Sequence, residues 1–194
     1  MKKVCVFAGS SPGVDADHAV ISNQMGAMMA ARGIGLVYGG GRIGLMGSIA
    51  DGASNEGGFV HGIIPQFLET LEVAHQGVTE LTITETMQER KTLMYEASDG
   101  FIALPGGFGT MEELMETITQ RQLKIHNKPI VIFNHKGYWD GLISMFDASS
   151  RDGFVRPHQL NLFDVMESLD QIGDFLDLLS LIHISEPTRQ DSIS

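Results

Sequence analysis

A single cysteine, Cys5, excludes both a disulfide framework and a CxxC metal site. Its position inside an apolar run makes it a small buried hydrophobe. Basic residues are also scarce: 13 Lys and Arg against 24 Asp and Glu leave a net charge of −11. A surface this acidic lacks the basic footprint that nucleic acids and anionic membranes need, so neither is an expected partner. Any phosphate must then be held locally, by backbone N–H groups and a few arginines. No apolar run reaches membrane-spanning length, and residues 1–8 enter a strand pattern without a signal peptide, which sets a cytoplasmic expectation. The seven histidines show no HxxxH or HxH spacing beside acids, so no metal centre is expected. Gly-Lys-Ser/Thr and GxSxG are missing too, which argues against a P-loop and a serine nucleophile.

What the chain does have is glycine, 23 in 194 residues, above the average of roughly 7%. With 43% hydrophobic and 19% charged residues the profile is that of a globular domain with a real core. Short apolar runs alternate with helical patterns, the signature of an α/β, Rossmann-like, doubly wound parallel sheet with helices on both faces. The runs predict strands at Val4–Ala8, Leu36–Tyr38, Phe59–Ile64, Leu81–Thr84, Phe101–Leu104 and Ile130–Asn134. Helices are expected near Asp17–Arg32, Gly44–Gly57, Thr86–Ser98, Thr110–His126, Asp140–Asp152 and Met166–Leu179. The methionines on these helices read as core or subunit-interface filler. On the fourth helix Met111, Leu114, Met115, Ile118 and Gln122 form one stripe. Residues 1–180 are thus one domain. The stretch 181–194 lacks periodicity and resembles vector read-through or a frayed end; no function is assigned to it.

Three glycine turns directly follow strands: Gly9-Ser-Ser-Pro-Gly13, Gly39-Gly-Gly-Arg-Ile-Gly-Leu-Met-Gly47 and Pro105-Gly-Gly-Phe-Gly-Thr110. In a parallel sheet all strand C-termini share one edge, so the turns converge on a crevice there. Glycines let backbone N–H groups crowd a phosphate, and a helix N-terminus adds unpaired donors and partial positive charge. Gly9, Ser10, Gly40, Gly41 and the segment Gly107, Phe108, Gly109, Thr110, Met111, Glu112 are therefore candidate ligand-binding residues. The second turn fits GxGxxG, but the strand after it ends Ile63-Ile64-Pro65-Gln66 with no acid for a ribose, which disfavours a dinucleotide.

Thr110-x-x-Glu113 has two readings. It is a capping box in which Thr110 caps a helix, and it also fixes a carboxylate one turn into a helix beside a phosphate cradle. Thr86-Met-Gln-Glu89 repeats the pattern without the glycines and is read as capping alone. Arg90 shares a helix face with Met87, Met94 and Ala97, where a guanidinium wants a carboxylate or phosphate partner. Lys91 lies about 100° around. A solvated basic pair is the competing reading from spacing alone.

Pro105–Glu113 fits PGGxGTxxE, and Met87-Gln-Glu-Arg-Lys91 fits an accompanying M-x-x-R-K segment. Together with Val4–Gly13, Tyr38–Gly47 and Gln122–Pro129, these resemble the LONELY GUY (LOG) family of cytokinin-activating nucleoside 5′-monophosphate phosphoribohydrolases. The likeness runs to about residue 180. It implies hydrolysis of the N-glycosidic bond of AMP-like nucleotides, with release of free base and ribose 5-phosphate and no cofactor. By position it implies Arg90 and Glu113 as the catalytic pair, and Glu72, Lys91, Gly107–Glu113 and Thr119 as nucleotide-binding residues. It further implies a homodimer or higher homo-oligomer with the site near the subunit interface. Members have often been labelled lysine decarboxylases, yet no Schiff-base lysine with a pyridinium partner is discernible in this sequence. A non-catalytic carrier or sensor of a nucleotide-derived ligand is the competing expectation, since a glycine cradle alone serves it. General nucleotide salvage is a third.

Overall fold

The computed structural model describes residues 1–69 and 73–181, and all structural statements concern these. Seven parallel strands form one sheet: β1 Lys3–Phe7, β2 Gly35–Tyr38, β3 Val60–Pro65, β4 Glu80–Thr84, β5 Gly100–Ala103, β6 Ile130–Phe133 and β7 Asp164–Met166. Their order is β4-β3-β2-β1-β5-β6-β7. The chain winds outward one way from β1 and then returns to start again at β5. The C-terminal ends of β1 and β5 therefore flank the switch point, where open α/β sheets bind ligands.

Seven helices complete the layers: α1 Asp17–Ala31, α2 Gly44–Asn55, α3 Gln66–Glu69, α4 Met87–Glu96, α5 Phe108–Gln122, α6 Asp140–Arg151 and α7 Leu169–Leu181. The continuous apolar runs are explained by burial on both sides with a period of two. Val4, Val6, Leu36, Tyr38, Ile102 and Val131 pack with Met25 and Met29 of α1, Ile49 of α2 and Leu176 of α7. The alternate residues Cys5, Phe7, Val37, Phe101, Ala103 and Ile132 pack with Met94 of α4, Leu114 and Ile118 of α5 and Trp139. The expected doubly wound architecture is the observed one.

Three expectations need correction. Asp164–Met166 is an edge strand, and the last helix starts at Leu169 rather than Met166. On α5 the buried face carries Thr110, Glu113, Leu114, Thr117 and Ile118, so it is rotated from the stripe drawn through Met115 and Gln122, which are exposed. The reason is that this helix packs polar side chains inward, toward the strand ends. Finally, α5 begins at Phe108 with Gly107 as its N-cap and no capping side chain, so Thr110 lies within the first turn and is not the cap. At α4 the expectation holds: the Thr86 hydroxyl accepts from the Glu89 N–H at 3.1 Å. There the Glu89 carboxylate accepts from the Glu85 N–H (2.9 Å), one residue outside the helix. The segment 182–194 and its reading lie outside the described residues. No helix among the described residues is long and apolar enough to cross a membrane.

Candidate active site

The glycine turns after β1 and β5 meet at the switch point, where the Gly9 N–H donates to the Pro105 carbonyl at 3.1 Å. The Gly9 carbonyl accepts from the N–H groups of Leu45 (2.9 Å) and Met46 (3.3 Å), which brings the start of α2 to the same place. Between them opens a cavity of about 150 Å³. Its walls hold Gly9 and Ser10 from the first turn, Gly39 from the second, and Gly107, Phe108, Gly109 and Thr110 from the third. No side chain caps α5, so its first-turn N–H groups remain available to a ligand along with the positive end of the helix dipole. Thr110, itself buried, packs so tightly on the turn that a Cβ at Gly106 would lie 2.1 Å from its Oγ1. Phe108 stands at the rim, 90% exposed.

Arg90 and Glu113 also line this cavity, both almost wholly buried, with Nη1 of Arg90 3.9 Å from Oε1 of Glu113. Arg90 reaches them from α4 because its face is apolar, as the sequence spacing indicates. Its guanidinium is held on main-chain carbonyls: Nε donates to Ile63 O (3.1 Å) and Nη2 to Gly39 O (3.0 Å). These carbonyls belong to the C-terminal half of β3 and to the turn after β2, so the sheet itself orients the cation. A planar fork with several fixed donors suits this task, and a lysine would not. Beneath the pair lies the fully buried Cys5. Burial, reinforced by the Glu113 carboxylate and opposed by Arg90, pushes its thiol up well above the usual range, so it stays an unreactive thiol.

Gly39 has no room for a side chain, since a Cβ there would sit 2.0 Å from Nη2 of Arg90. Gly39→Ala is therefore expected to displace the guanidinium and, for the reaction that the sequence resemblance implies, to lower turnover at least tenfold with nucleotide binding largely kept. Gly141→Ala on α6, where nothing lies within 4 Å, is the control and should match the parent protein. Equal rates for all three proteins would refute a role for the seat of Arg90.

The other sequence-predicted residues lie elsewhere. Lys91 is buried between α4 and α5, its ammonium 2.5 Å from both Glu112 Oε1 and Glu116 Oε2. Burial opposes its charge, but those two carboxylates outweigh the cost and hold the ammonium above its ordinary range. Glu112 is thus turned to Lys91, and Thr119 to its own helix through a bond to Met115 O (2.8 Å). Met111 packs against the core on the α4–α5 side. Gly40 abuts Ile63 and Ile64, and Gly41 bridges to Ala74, so the second turn enters the cavity through Gly39 and not through these two. Glu72 lies outside the described residues. Val6, Ala8, Met46 and Met87 also line the cavity, which sequence reasoning missed. Both methionines follow glycine or cap signals, and that adjacency was the available sign.

No lysine lines this cavity; Lys91 is engaged by carboxylates and Lys128 by the Tyr95 carbonyl at 2.6 Å. The residues present do not fit a pyridoxal Schiff-base site.

Fold and site together define a parallel α/β protein with a glycine-walled cavity and a buried Arg–Glu pair at its switch point. The profile of a family described as "Possible lysine decarboxylase" matches residues 46–176. The chain is 45% identical over 156 residues to a rice (Oryza sativa subsp. japonica) protein named "Probable cytokinin riboside 5′-monophosphate phosphoribohydrolase LOGL5". That alignment covers 80% of this chain and 63% of the rice protein, so the chain spans just under two thirds of that relative. It is 44% identical over 157 residues to the cytokinin riboside 5′-monophosphate phosphoribohydrolase of Rhodococcoides fascians, covering 80% of this chain and 79% of that one. The Moco carrier protein of Chlamydomonas rheinhardtii superposes with a TM-score of 0.70 at 20% identity, over 92% of this chain and 97% of that one, and shares the fold. The chain belongs to the LOG family.

Proposed function

We propose that the protein hydrolyses the N-glycosidic bond of adenosine 5′-monophosphate or an N6-substituted relative, releasing the base and ribose 5-phosphate. The observation that carries this reading is the burial of Glu113 and Arg90 together in a cavity walled by the N-terminus of α5. The names of the relatives point to the same reaction. Cleavage builds positive charge on the ribose ring, and a carboxylate desolvated beside C1′ stabilises it more strongly than water does. In this reading the 5′-phosphate sits on the first turn of α5, and Glu113 faces C1′ and orients or deprotonates the attacking water. Arg90 keeps Glu113 ionised and in place. Water or a group on the substrate protonates the leaving base.

A carrier needs the cradle but not the buried pair. Incubation with AMP followed by chromatography for free adenine separates the two functions. A panel of AMP, other 5′-monophosphates, isopentenyl-AMP and adenosine tests the phosphate seat. AMP is expected to exceed adenosine in kcat/KM by at least about 10²-fold, the worth of a few charge-assisted hydrogen bonds. Equal use of adenosine would remove the phosphate from the α5 N-terminus.

The enzyme acts, in this reading, as a homodimer or larger homo-oligomer. Met115, Leu123 and Ile125 lie exposed on and just after α5, toward its C-terminal end, where they offer apolar surface to a second copy. Sedimentation would check this directly, and a monomer at micromolar concentration would contradict it.

A further inference from the structure

The second glycine turn seats Arg90 through the Gly39 carbonyl, yet the turn itself has to be held, because glycine restricts its own backbone least. On one side Gly40 is wedged against β3. A Cβ on Gly40 would lie 2.9 Å from Cβ of Ile64, and one on Gly62 would lie 2.9 Å from Cα of Gly40. On the other side a strap, residues 73–77, pairs with the turn through an antiparallel bridge of Gly41 to Ala74. The Arg42 N–H donates to the Val73 carbonyl and the His75 N–H to the Gly40 carbonyl, both at 2.9 Å. Val73 takes a φ of 49°, a left-handed backbone that a β-branched residue keeps only under restraint.

We propose that His75 is a positioning residue for turnover: tied to Asp51, it holds the strap against the second glycine turn and so fixes the carbonyl on which Arg90 sits. The proposal rests on the hydrolase reading for its effect on rate.

The His75 ring is buried and engaged on both sides. Its Nδ1 accepts from the Gly77 N–H at 3.1 Å, and its Nε2 stands 2.9 Å from Oδ1 of Asp51 on α2. With Nδ1 accepting, the proton of the neutral ring is on Nε2 and is donated to the carboxylate. One side chain thus closes the strap on itself and ties it to α2. That helix is fixed in turn to the first glycine turn, where the Gly9 carbonyl accepts from Leu45 and Met46. The strap is therefore anchored to an element that already borders the cavity, and the second turn is gripped between this anchor and β3. An imidazole suits the task because it carries an acceptor and a donor at a fixed separation. A Gln amide places an N–H near the Nε2 position and an Asn amide places an oxygen near the Nδ1 position, so each keeps one arm of the tie.

The test compares kcat and KM for AMP with hydrogen exchange, read by mass spectrometry over residues 36–43 and 73–77. His75→Ala should lower kcat about tenfold and leave KM within about twofold, since the Gly39 carbonyl carries Arg90 and not the substrate. His75→Gln and His75→Asn should each recover part of the loss. Asp51→Ala, at a half-exposed helix position where folding does not depend on the side chain, should lower kcat about threefold. In the Arg90→Ala background, removal of His75 should cost nothing further, because the residue it steadies is gone. Exchange over both segments should quicken about tenfold in His75→Ala and stay at the parent rate over α6. An equal loss of kcat in both backgrounds, a loss confined to KM, or unchanged exchange at the second turn would overturn the proposal. If the wild-type protein releases no adenine while exchange at the second turn still follows His75, the hydrolase reading fails and the tie to the seat of Arg90 stands. If adenine is released at the same rate with and without His75, the positioning role fails and the hydrolase reading stands.

Discussion

Glu113→Gln is expected to lower the rate of base release from AMP by roughly 10²–10⁴-fold while leaving nucleotide affinity within about threefold. The substitution keeps the shape of the side chain and removes only its charge. Glu113 is 7% exposed and faces the cavity rather than solvent, so its field is little screened. A ground-state nucleotide offers no cation for that field to meet; the ribosyl transition state does. The loss therefore belongs in kcat and not in KM. Single-turnover measurements with AMP, beside calorimetric binding, read the two separately. Turnover near the wild-type rate would reduce Glu113 to a packing group of α5.

Arg90→Ala is expected to suppress kcat/KM by at least about 10²-fold and to lower Tm by on the order of 10 °C. Two costs combine. Removal of the guanidinium leaves the Glu113 carboxylate buried without the cation 3.9 Å away, and it strips donors from the carbonyls of Ile63 and Gly39. Arg90→Lys should recover little of either, because one ammonium cannot serve both carbonyls and the carboxylate from a single position. Kinetics and thermal unfolding of the same preparations check this. A variant with unaltered kcat/KM would take Arg90 out of the mechanism, whatever its stability.

Much of this was legible in the sequence, for physical reasons. Strands buried on both faces must be continuously apolar, and turns that approach a ligand must be glycine, so β1, β2, β3, β5, β6 and the three turns stand out; the edge strand β4 shows through its run Leu81-Thr-Ile-Thr84, rich in β-branched residues. The seventh strand does not, because Asp164-Val-Met is only three residues long and lies at the sheet edge, where burial writes no pattern. The register of α5 was misread because apolar periodicity presumes an apolar buried face. Here Thr110, Glu113 and Thr117 are buried and Met115 is not. Thr-x-x-Glu reads the same whether Thr caps a helix, as Thr86 does, or lies inside its first turn, as Thr110 does. Only the backbone at Gly107 distinguishes them. Arg90 was readable from its apolar neighbours, whereas its seat on Ile63 and Gly39 depends on strand order, which local sequence does not carry.

The clamp of Lys91 on Glu112 and Glu116 has a bearing on how variants of this protein are to be understood. α4 turns Arg90 into the cavity and its neighbour Lys91 into the clamp, and α5 does the same with Glu113 and Glu112. A disturbance at the clamp is therefore expected to shift α4 against α5 and, with them, the inward pair. Loss of Lys91 would then mimic the loss of a substrate contact, with activity falling although nothing that touches the reacting bond had been removed. The two kinds of defect part company under added salt, which loosens a partly exposed ion network and leaves a deeply buried pair almost untouched.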